Sequence, residues 1–256
     1  MKAQVYKDPR PPEYFERFHE RIRRDKPGPV YEAVRMVLTP IVTLGFRGRA
    51  ISAVNVPASG PVILAPNHFS NMDHFLMAAF IRRRVNFVAK SQLFGNPVLN
   101  FIFYDGGVFP IRRGHRDEQS FETMHAVLER GGTIVMYAEG GRSRTGELSE
   151  TVKPGIGRLA LESGAPVVPV AIYGSAKARN WKRGELPKVT VQFGEPFRFE
   201  RVAEPTRHQQ QAVSEEIFAD VRTLYAALRE HGRKGMVALV RERHRAERRK
   251  SRTATA

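Results

Sequence analysis

The chain of 256 residues contains no cysteine. That excludes disulfides, thiolate metal sites and any mechanism that stores an acyl group on a cysteine sulfur. Long apolar runs are missing as well. Crossing a bilayer takes about 20 consecutive apolar residues, and the nearest candidate, residues 37–46, is about half that length. The first thirty or so residues are charged throughout and have no apolar centre, so no secretory signal peptide is expected. These absences predict a protein that is cytosolic, or that lies on the cytoplasmic face of a membrane, peripheral or monotopic, without crossing it. Acidic residues are scarce: 26 Asp and Glu stand against 42 Lys and Arg, a formal net charge of +16. An excess of that size calls for a polyanionic neighbour, either nucleic acid or an anionic membrane surface. The basic residues gather at the termini rather than among exposed aromatics, and no nucleic-acid motif accompanies them. An anionic membrane surface is therefore the expected partner, and nucleic acid is not.

What is present supports a folded α/β protein. Hydrophobic residues make up 41% of the chain, enough for a core, and the length suits one large domain or one domain with an appended helical arm. Strand-like stretches at residues 50–56, 62–65, 85–89, 106–111, 133–138 and 167–173 alternate with helix-like ones at 72–80, 92–103, 117–130 and 156–163. Residues 189–193 and 197–199 close the series. The alternation predicts a mostly parallel central sheet flanked by helices, with Pro169 marking an edge or irregular strand. Ahead of it, residues 13–24 read as a short helix whose basic cluster at 21–26 forms a solvated face. Residues 30–46 carry Val34, Val37, Leu38, Ile41, Val42 and Leu44 at helical spacing, interrupted by Pro40 and shouldered by Arg35, Arg47 and Arg49. This N-terminal amphipathic element suits a membrane interface, or an ordinary helix docked on the domain. Residues 206–228 read as a C-terminal helix with Val213, Ile217, Val221, Leu224 and Leu228 on one face. Residues 233–252 form a basic tail, a frayed helix or a disordered extension. The expected organisation is an N-terminal basic segment and membrane-facing helix (1–49), an α/β domain (50–200), and a C-terminal helix with its tail (201–256).

Residues 61–80 are the centre of the chemistry. His68 sits in the turn leaving a buried strand, and Asp73 follows near the start of a helix. The carboxylate can reach back to one imidazole nitrogen, fix the tautomer and leave the other nitrogen facing a cleft, which makes a general base. The same pair also fits a helix N-cap with a turn histidine. Three further stretches fall at strand ends, where open α/β sheets place their sites. Gly107, Phe109, Pro110, Arg112 and Arg113 carry one strand into a loop. Glu139, Gly140, Gly141, Arg142 and Ser143 follow another, and Pro169 lies in a third. Glycines beside an arginine let backbone N–H groups and a guanidinium surround a phosphate; a mobile surface turn would look the same.

In this order, the four stretches resemble the glycerophospholipid acyltransferase family, the lysophosphatidic acid acyltransferases in particular. Asn67, His68 and Asp73, with Ser70, match the family's Asn-His-x4-Asp block. Gly107, Phe109, Pro110 and Arg113 match the second block, and Glu139, Gly140, Arg142 and Ser143 match the Glu-Gly-Thr-Arg-Ser block. Pro169 matches the fourth. The resemblance covers roughly residues 30 to 200. Two departures stand out: Gly141 replaces a common Thr, and Arg112 a common acidic residue.

The resemblance implies transfer of an acyl group from acyl-CoA or acyl-carrier protein to the free hydroxyl of a lysophospholipid, most directly 1-acyl-glycerol-3-phosphate. His68 would be the base and Asp73 its support. Arg113 and Arg142 would take the acceptor phosphate, with Glu139 orienting that group or a glycerol hydroxyl, and Ser70 would be a turn or capping group. No metal or other cofactor is expected, because His74, His115 and His125 have no ligand spacing. Another acceptor on the same fold, such as glycerol-3-phosphate, a lyso-ornithine lipid or a glycosylated inositol lipid, stays open. So do a catalytically idle lipid binder and, from charge alone, a nucleic-acid binder.

Overall fold

The apolar run at the heart of the sequence forms a fully buried strand, β2 (Val62–Pro66), and a seven-stranded sheet extends from it in both directions. The structure, a computed structural model, describes residues 8–113, 117–143 and 145–254, without the side chains of residues 179, 181, 182 and 248–254. His115 and residues 1–7 lie outside the described residues.

The remaining strands are β1 (Arg49–Ile51), β3 (Asn86–Lys90), β4 (Val108–Ile111), β5 (Thr133–Val135), β6 (Val167–Tyr173) and β7 (Thr190–Phe193), in the spatial order β1-β7-β6-β2-β5-β3-β4. Every neighbouring pair is parallel except β6 and β7. Side chains alternate across a strand, so the sheet has two apolar faces. Ile63, Ala65, Phe109, Ile134 and Val167 face one core, shared with α5 (Glu118–Glu129), α6 (Gly155–Ser163) and the first part of α7 (Arg207–Ala254). Val62, Leu64, Val135, Val168 and Val170 face the other, shared with α3 (Asp73–Ala78) and the Val42–Phe46 turn. Burial on both faces explains why β2 reads as an unbroken apolar run rather than an alternating one.

The N-terminal helices α1 (Glu16–Arg24) and α2 (Pro29–Pro40) dock on this frame, α2 against α4 (Pro97–Gly106). The basic cluster of α1 is no uniform solvated face: Arg21 is largely covered and donates to Asp105 at 3.2 Å. Pro40 ends α2, and a single π turn, Ile41–Gly45, carries the helix on.

Several expected elements differ in extent. The strand expected at 50–56 stops at Ile51, because Ser52 takes a left-handed conformation (φ 55) and a 3-10 turn, Ala53–Asn55, follows. The strand expected at 133–138 ends at Val135, and residues 197–199 supply one antiparallel bridge, Val167 to Phe197, instead of a strand. The helix expected from residue 92 begins at Pro97, where the Asn96 side chain accepts the N–H groups of Val98 and Leu99. Pro169 is in the interior strand β6, not at an edge. Its carbonyl accepts the Gly194 N–H (2.8 Å), and Val167 pairs with Phe197. The ladder is thus interrupted between Gly194 and Phe197, on the side where the proline lacks its N–H. The basic tail is helical: α7 breaks at Gly232 (φ 60) and continues to Ala254.

Candidate active site

β2 delivers its next residues to the carboxyl end of the sheet. Asn67 is fully buried and acts like one more rung of the ladder: its amide oxygen accepts the Ile172 N–H (2.7 Å) and its amide nitrogen donates to the Ile172 carbonyl (3.2 Å). The chain turns immediately after this lock, which sets where the His68 backbone leaves the sheet.

Asp73, the first residue of α3, is fully buried and collects that turn on one oxygen. Its Oδ2 accepts the Phe69 N–H (2.7 Å), the Ser70 N–H (2.7 Å) and the His68 Nδ1–H (2.9 Å). A carboxylate only accepts, so Nδ1 carries the hydrogen and Nε2 keeps its lone pair. Nε2 has no partner among the described residues, and Oδ1 of Asp73 is likewise buried and unpaired. Ser70 Oγ accepts the Met72 N–H (3.1 Å), a turn role.

Two residues that the sequence reading left aside complete the surroundings of His68. The Tyr137 ring stacks on the imidazole with centroids 4.0 Å apart and planes 25° apart. Its hydroxyl shares a hydrogen bond with His74 Nδ1 (2.8 Å). Desolvation pushes the Tyr137 phenol well above its usual range and lowers His74 to about 4, the latter helped by the charge of His68. Both groups are therefore neutral at pH 7. Tyr137 was missed because it falls just past the β5 ladder, where no motif marks it.

The loop after β5 is zipped to the His68 turn. Glu139 Oε2 accepts the His68 N–H (2.6 Å), Glu139 Oε1 accepts the Ser149 N–H (3.2 Å), and the Ser143 N–H donates to the His68 carbonyl (2.9 Å). Burial pushes the Glu139 carboxyl up to about 7, against the lowering effect of the two N–H groups. Gly140 makes the turn between these bonds with a positive φ of 66. The loop brings Arg142 beside Arg113, which follows β4. Desolvation and the Arg142 charge both lower the Arg113 pKa. Neither guanidinium has a carboxylate partner among the described residues. Gly141 lies against Arg113: a Cβ there would sit 3.4 Å from its Nη1.

These residues together offer a base with a free lone pair, an electrostatic support behind it, and two unpaired cations beside it. Residues 50–173 match the family model described as Acyltransferase. Across that stretch, just under half of its length, the chain is similar to the glycerophospholipid acyltransferases.

It is similar to the chloroplastic 1-acyl-sn-glycerol-3-phosphate acyltransferase of Brassica napus, 28% identical over 126 residues, which are 48% of this chain and 36% of that protein. The probable 1-acyl-sn-glycerol-3-phosphate acyltransferase of Mycoplasma genitalium is 32% identical over 140 residues, 52% of each chain. A glycerol-3-phosphate acyltransferase of Pseudomonas aeruginosa is 26% identical over 176 residues, 61% of this chain and 21% of that one. The chain therefore spans only part of the curated relatives it matches. Among solved structures, the 1-acyl-sn-glycerophosphate acyltransferase PlsC of Thermotoga maritima superposes with a TM-score of 0.55 at 25% identity, covering 76% of this chain and 83% of that one.

Of the acyltransferase motif residues, the structure gathers His68, Asp73, Glu139, Gly140, Arg142, Ser143 and Arg113 into one cluster. Others hold the frame. Asn67 spends its amide on β6, and both oxygens of Glu139 are used on backbone N–H groups rather than left for a ligand. Gly107 ends α4 where a Cβ would lie 2.4 Å from Pro27. Pro110 sits in the edge strand β4 and its carbonyl accepts the Ser120 hydroxyl (2.9 Å). Pro169 packs on Gly194 and Arg112 donates to the Arg10 carbonyl (3.1 Å), both away from His68.

Proposed function

We propose that the chain is an O-acyltransferase that moves a fatty acyl group from a thioester, acyl-CoA or acyl-carrier protein, to the free hydroxyl of a phosphate-bearing glycerolipid, 1-acyl-glycerol-3-phosphate first among them. One observation carries this reading: the lone pair on His68 Nε2, with Asp73 behind the ring, opens beside the carboxylate-free pair Arg113 and Arg142. The acceptor phosphate docks between the two guanidinium groups, which places its hydroxyl at Nε2. Nε2 takes the hydroxyl proton as the oxygen attacks the thioester carbonyl. The C–S bond breaks, and the proton on the imidazolium passes to the departing thiolate. Asp73 favours the imidazolium while it exists, and Glu139 holds the backbone of His68 in place throughout. The reaction leaves no covalent intermediate on the protein.

Glycerol-3-phosphate is the second acceptor to consider, since the Pseudomonas relative is named for it. The surface supports delivery from a bilayer. No helix among the described residues is long and apolar enough to cross a membrane. α2 and its π turn nonetheless expose Met36, Val37 and Leu44, and the adjoining α4 exposes Val98 and Phe101. An apolar face of this kind, flanked by basic residues, rests in a lipid interface.

Thiol release from palmitoyl- or oleoyl-CoA, followed with a chromogenic disulfide reagent, tests the reading without background, because the protein has no thiol of its own. Release that depends on 1-acyl-glycerol-3-phosphate and vanishes in His68→Ala is expected. Release that is unchanged in His68→Ala would overturn the assigned base, and a preference for glycerol-3-phosphate would move the acceptor to the second reading.

A further inference from the structure

A second cluster of unpaired cations stands apart from the first. The break of α7 at Gly232 turns the second part of the helix onto the free edge of the sheet, where β1 is the last strand. Between them lies a cleft of about 380 Å³ walled by Arg49, Arg233, Lys234 and Arg241, with Ile51 and Val237 as its apolar floor. Arg233 is held rigidly, donating to Thr190 Oγ1 (2.9 Å) and to the Val189 carbonyl (2.5 Å). Several surface arginines elsewhere find carboxylates, as in Arg84 with Glu32, Arg158 with Glu118 and Arg243 with Glu195. None of the four cations of the cleft has such a partner among the described residues. Four like charges around one cavity repel one another, an arrangement that an anion of high charge relieves. The strain is visible at Arg233, whose pKa is lowered by desolvation and by the charges of Arg49 and Arg47.

The cleft also lies at the right end of the sheet. Arg49 is in register with Thr190, Thr190 with Tyr173, and Val170, three residues before Tyr173, with Pro66, two residues before His68. From β2 to β1 is three strand spacings, about 14 Å. Two half-buried tyrosines occupy the interval on the α7 side: Tyr225 meets Phe69, the neighbour of His68, at 5.6 Å between ring centroids, and Tyr173 at 5.3 Å.

We propose that the cleft between β1 and the second part of α7 binds the phosphorylated nucleotide end of an acyl-CoA donor, with the pantetheine arm running across the sheet end to deliver its thioester to His68. This deepens the acyltransferase reading and rests on it. A nucleotide with three phosphates matches a pocket with four cations, and a purine ring has the half-buried Val237 to lie on. The cleft is open to solvent and its four cations lie within one nucleotide-sized depression, a compact target that suits the phosphates of coenzyme A better than the broad acidic face of a carrier protein. Arginines suit phosphate because the guanidinium fork bonds two oxygens at once.

Calorimetric titration of the full chain with free coenzyme A tests the site without turnover. Binding is expected in wild type and in His68→Ala alike, weakened at least fivefold for 3′-dephospho-CoA and at least tenfold in the double variant Arg49→Glu, Arg241→Glu. In turnover the double variant is expected to raise the KM for acyl-CoA tenfold or more, with the acceptor KM little changed. Both substitutions are at exposed positions, and circular dichroism checks the fold. Coenzyme A binding that survives the double substitution overturns the proposal. So does a loss confined to acyl-carrier-protein turnover, which assigns the cleft to that protein, or a loss confined to anionic vesicle binding, which assigns it to the lipid surface. Absence of thiol release from every donor defeats the acyltransferase reading instead, and the calorimetry separates that failure from this one.

Discussion

Tyr137 covers one face of the His68 imidazole and anchors its own hydroxyl on His74, two rings 5.2 Å apart by centroids. The general base is thus held from three sides: Asp73 at Nδ1, Glu139 at the backbone N–H, and an aromatic face on the ring. When His68 becomes an imidazolium, the negative face of the Tyr137 ring favours the cation, by about 2 kcal/mol where water is excluded.

Substitution at Tyr137 separates the ring from the hydroxyl. Tyr137→Phe keeps the stack and loses the bond to His74, so kcat is expected within about threefold of wild type. Tyr137→Ala removes the face, and kcat is expected to fall by about 30-fold, with the acceptor KM nearly unchanged. Equal losses in the two variants would place the effect in the His74 bond instead.

Asp73 separates charge from geometry. All three of its hydrogen bonds fall on Oδ2 while Oδ1 has none, so an asparagine can put its oxygen at the Oδ2 position and keep the turn. Asp73→Asn is expected to stay folded while losing about 100-fold or more in kcat, the usual worth of a supported general base. Asp73→Ala leaves two buried backbone N–H groups and the imidazole unpaired, at about 1 to 3 kcal/mol each. Its melting temperature should therefore fall well below that of the Asn variant. Equal melting temperatures would refute the hub role of Oδ2.

The paired arginines predict selectivity rather than rate. Arg142 is open to solvent and Arg113 is partly desolvated beside it, and each is worth about 1.5 to 3 kcal/mol to a bound phosphate, the range for hydrogen bonds to charged groups. Arg142→Ala should lower kcat/KM for 1-acyl-glycerol-3-phosphate by about 10- to 100-fold and leave a monoacylglycerol acceptor, which has no phosphate, little affected. An equal loss with both acceptors would remove the phosphate role.

The parts of this arrangement that were legible in the sequence are those fixed locally. The proline-bounded apolar run announced β2, and the five-residue spacing from His68 to Asp73 announced the dyad, because one turn brings them together. What the sequence did not disclose depends on partners far along the chain. Asn67 stands in the motif beside His68, yet its amide is taken by Ile172, 105 residues on. Glu139 reads as a substrate contact until the His68 N–H, 71 residues away, takes its carboxylate. Pro169 implied an edge or an irregular strand; the strand is interior, and its pairing is irregular, broken between Gly194 and Phe197 on the side where the proline lacks an N–H. The basic tail, expected as a frayed helix or a disordered extension because its apolar residues are few, is helical, and Met236 and Val240 hold its first turns against Ile51 and Ala171.

The last prediction concerns pH and lies far from the chemistry. His19 on α1 is buried against α5, its Nδ1 2.9 Å from the Thr123 hydroxyl. Desolvation lowers its pKa from 6.5 to about 4. Between these two values the unfolded chain binds a proton that the folded chain refuses, so stability falls as pH falls through that window. The contribution is fully present above pH 6.5 and is lost by about pH 4, at about 3 kcal/mol in all. Glu139 acts in the opposite sense: its carboxyl is pushed up to about 7, so the folded state gains stability as pH falls from 7 towards 4.5. The net curve mixes the two, and the difference between wild type and His19→Gln isolates the histidine, since glutamine does not titrate and can still bond Thr123. Urea unfolding at pH 7 and pH 4 should show wild type losing about 3 kcal/mol more than His19→Gln over that interval. Parallel losses in the two proteins would mean that the folded chain accepts the proton on His19, and that the α1–α5 contact opens in acid without unfolding the sheet.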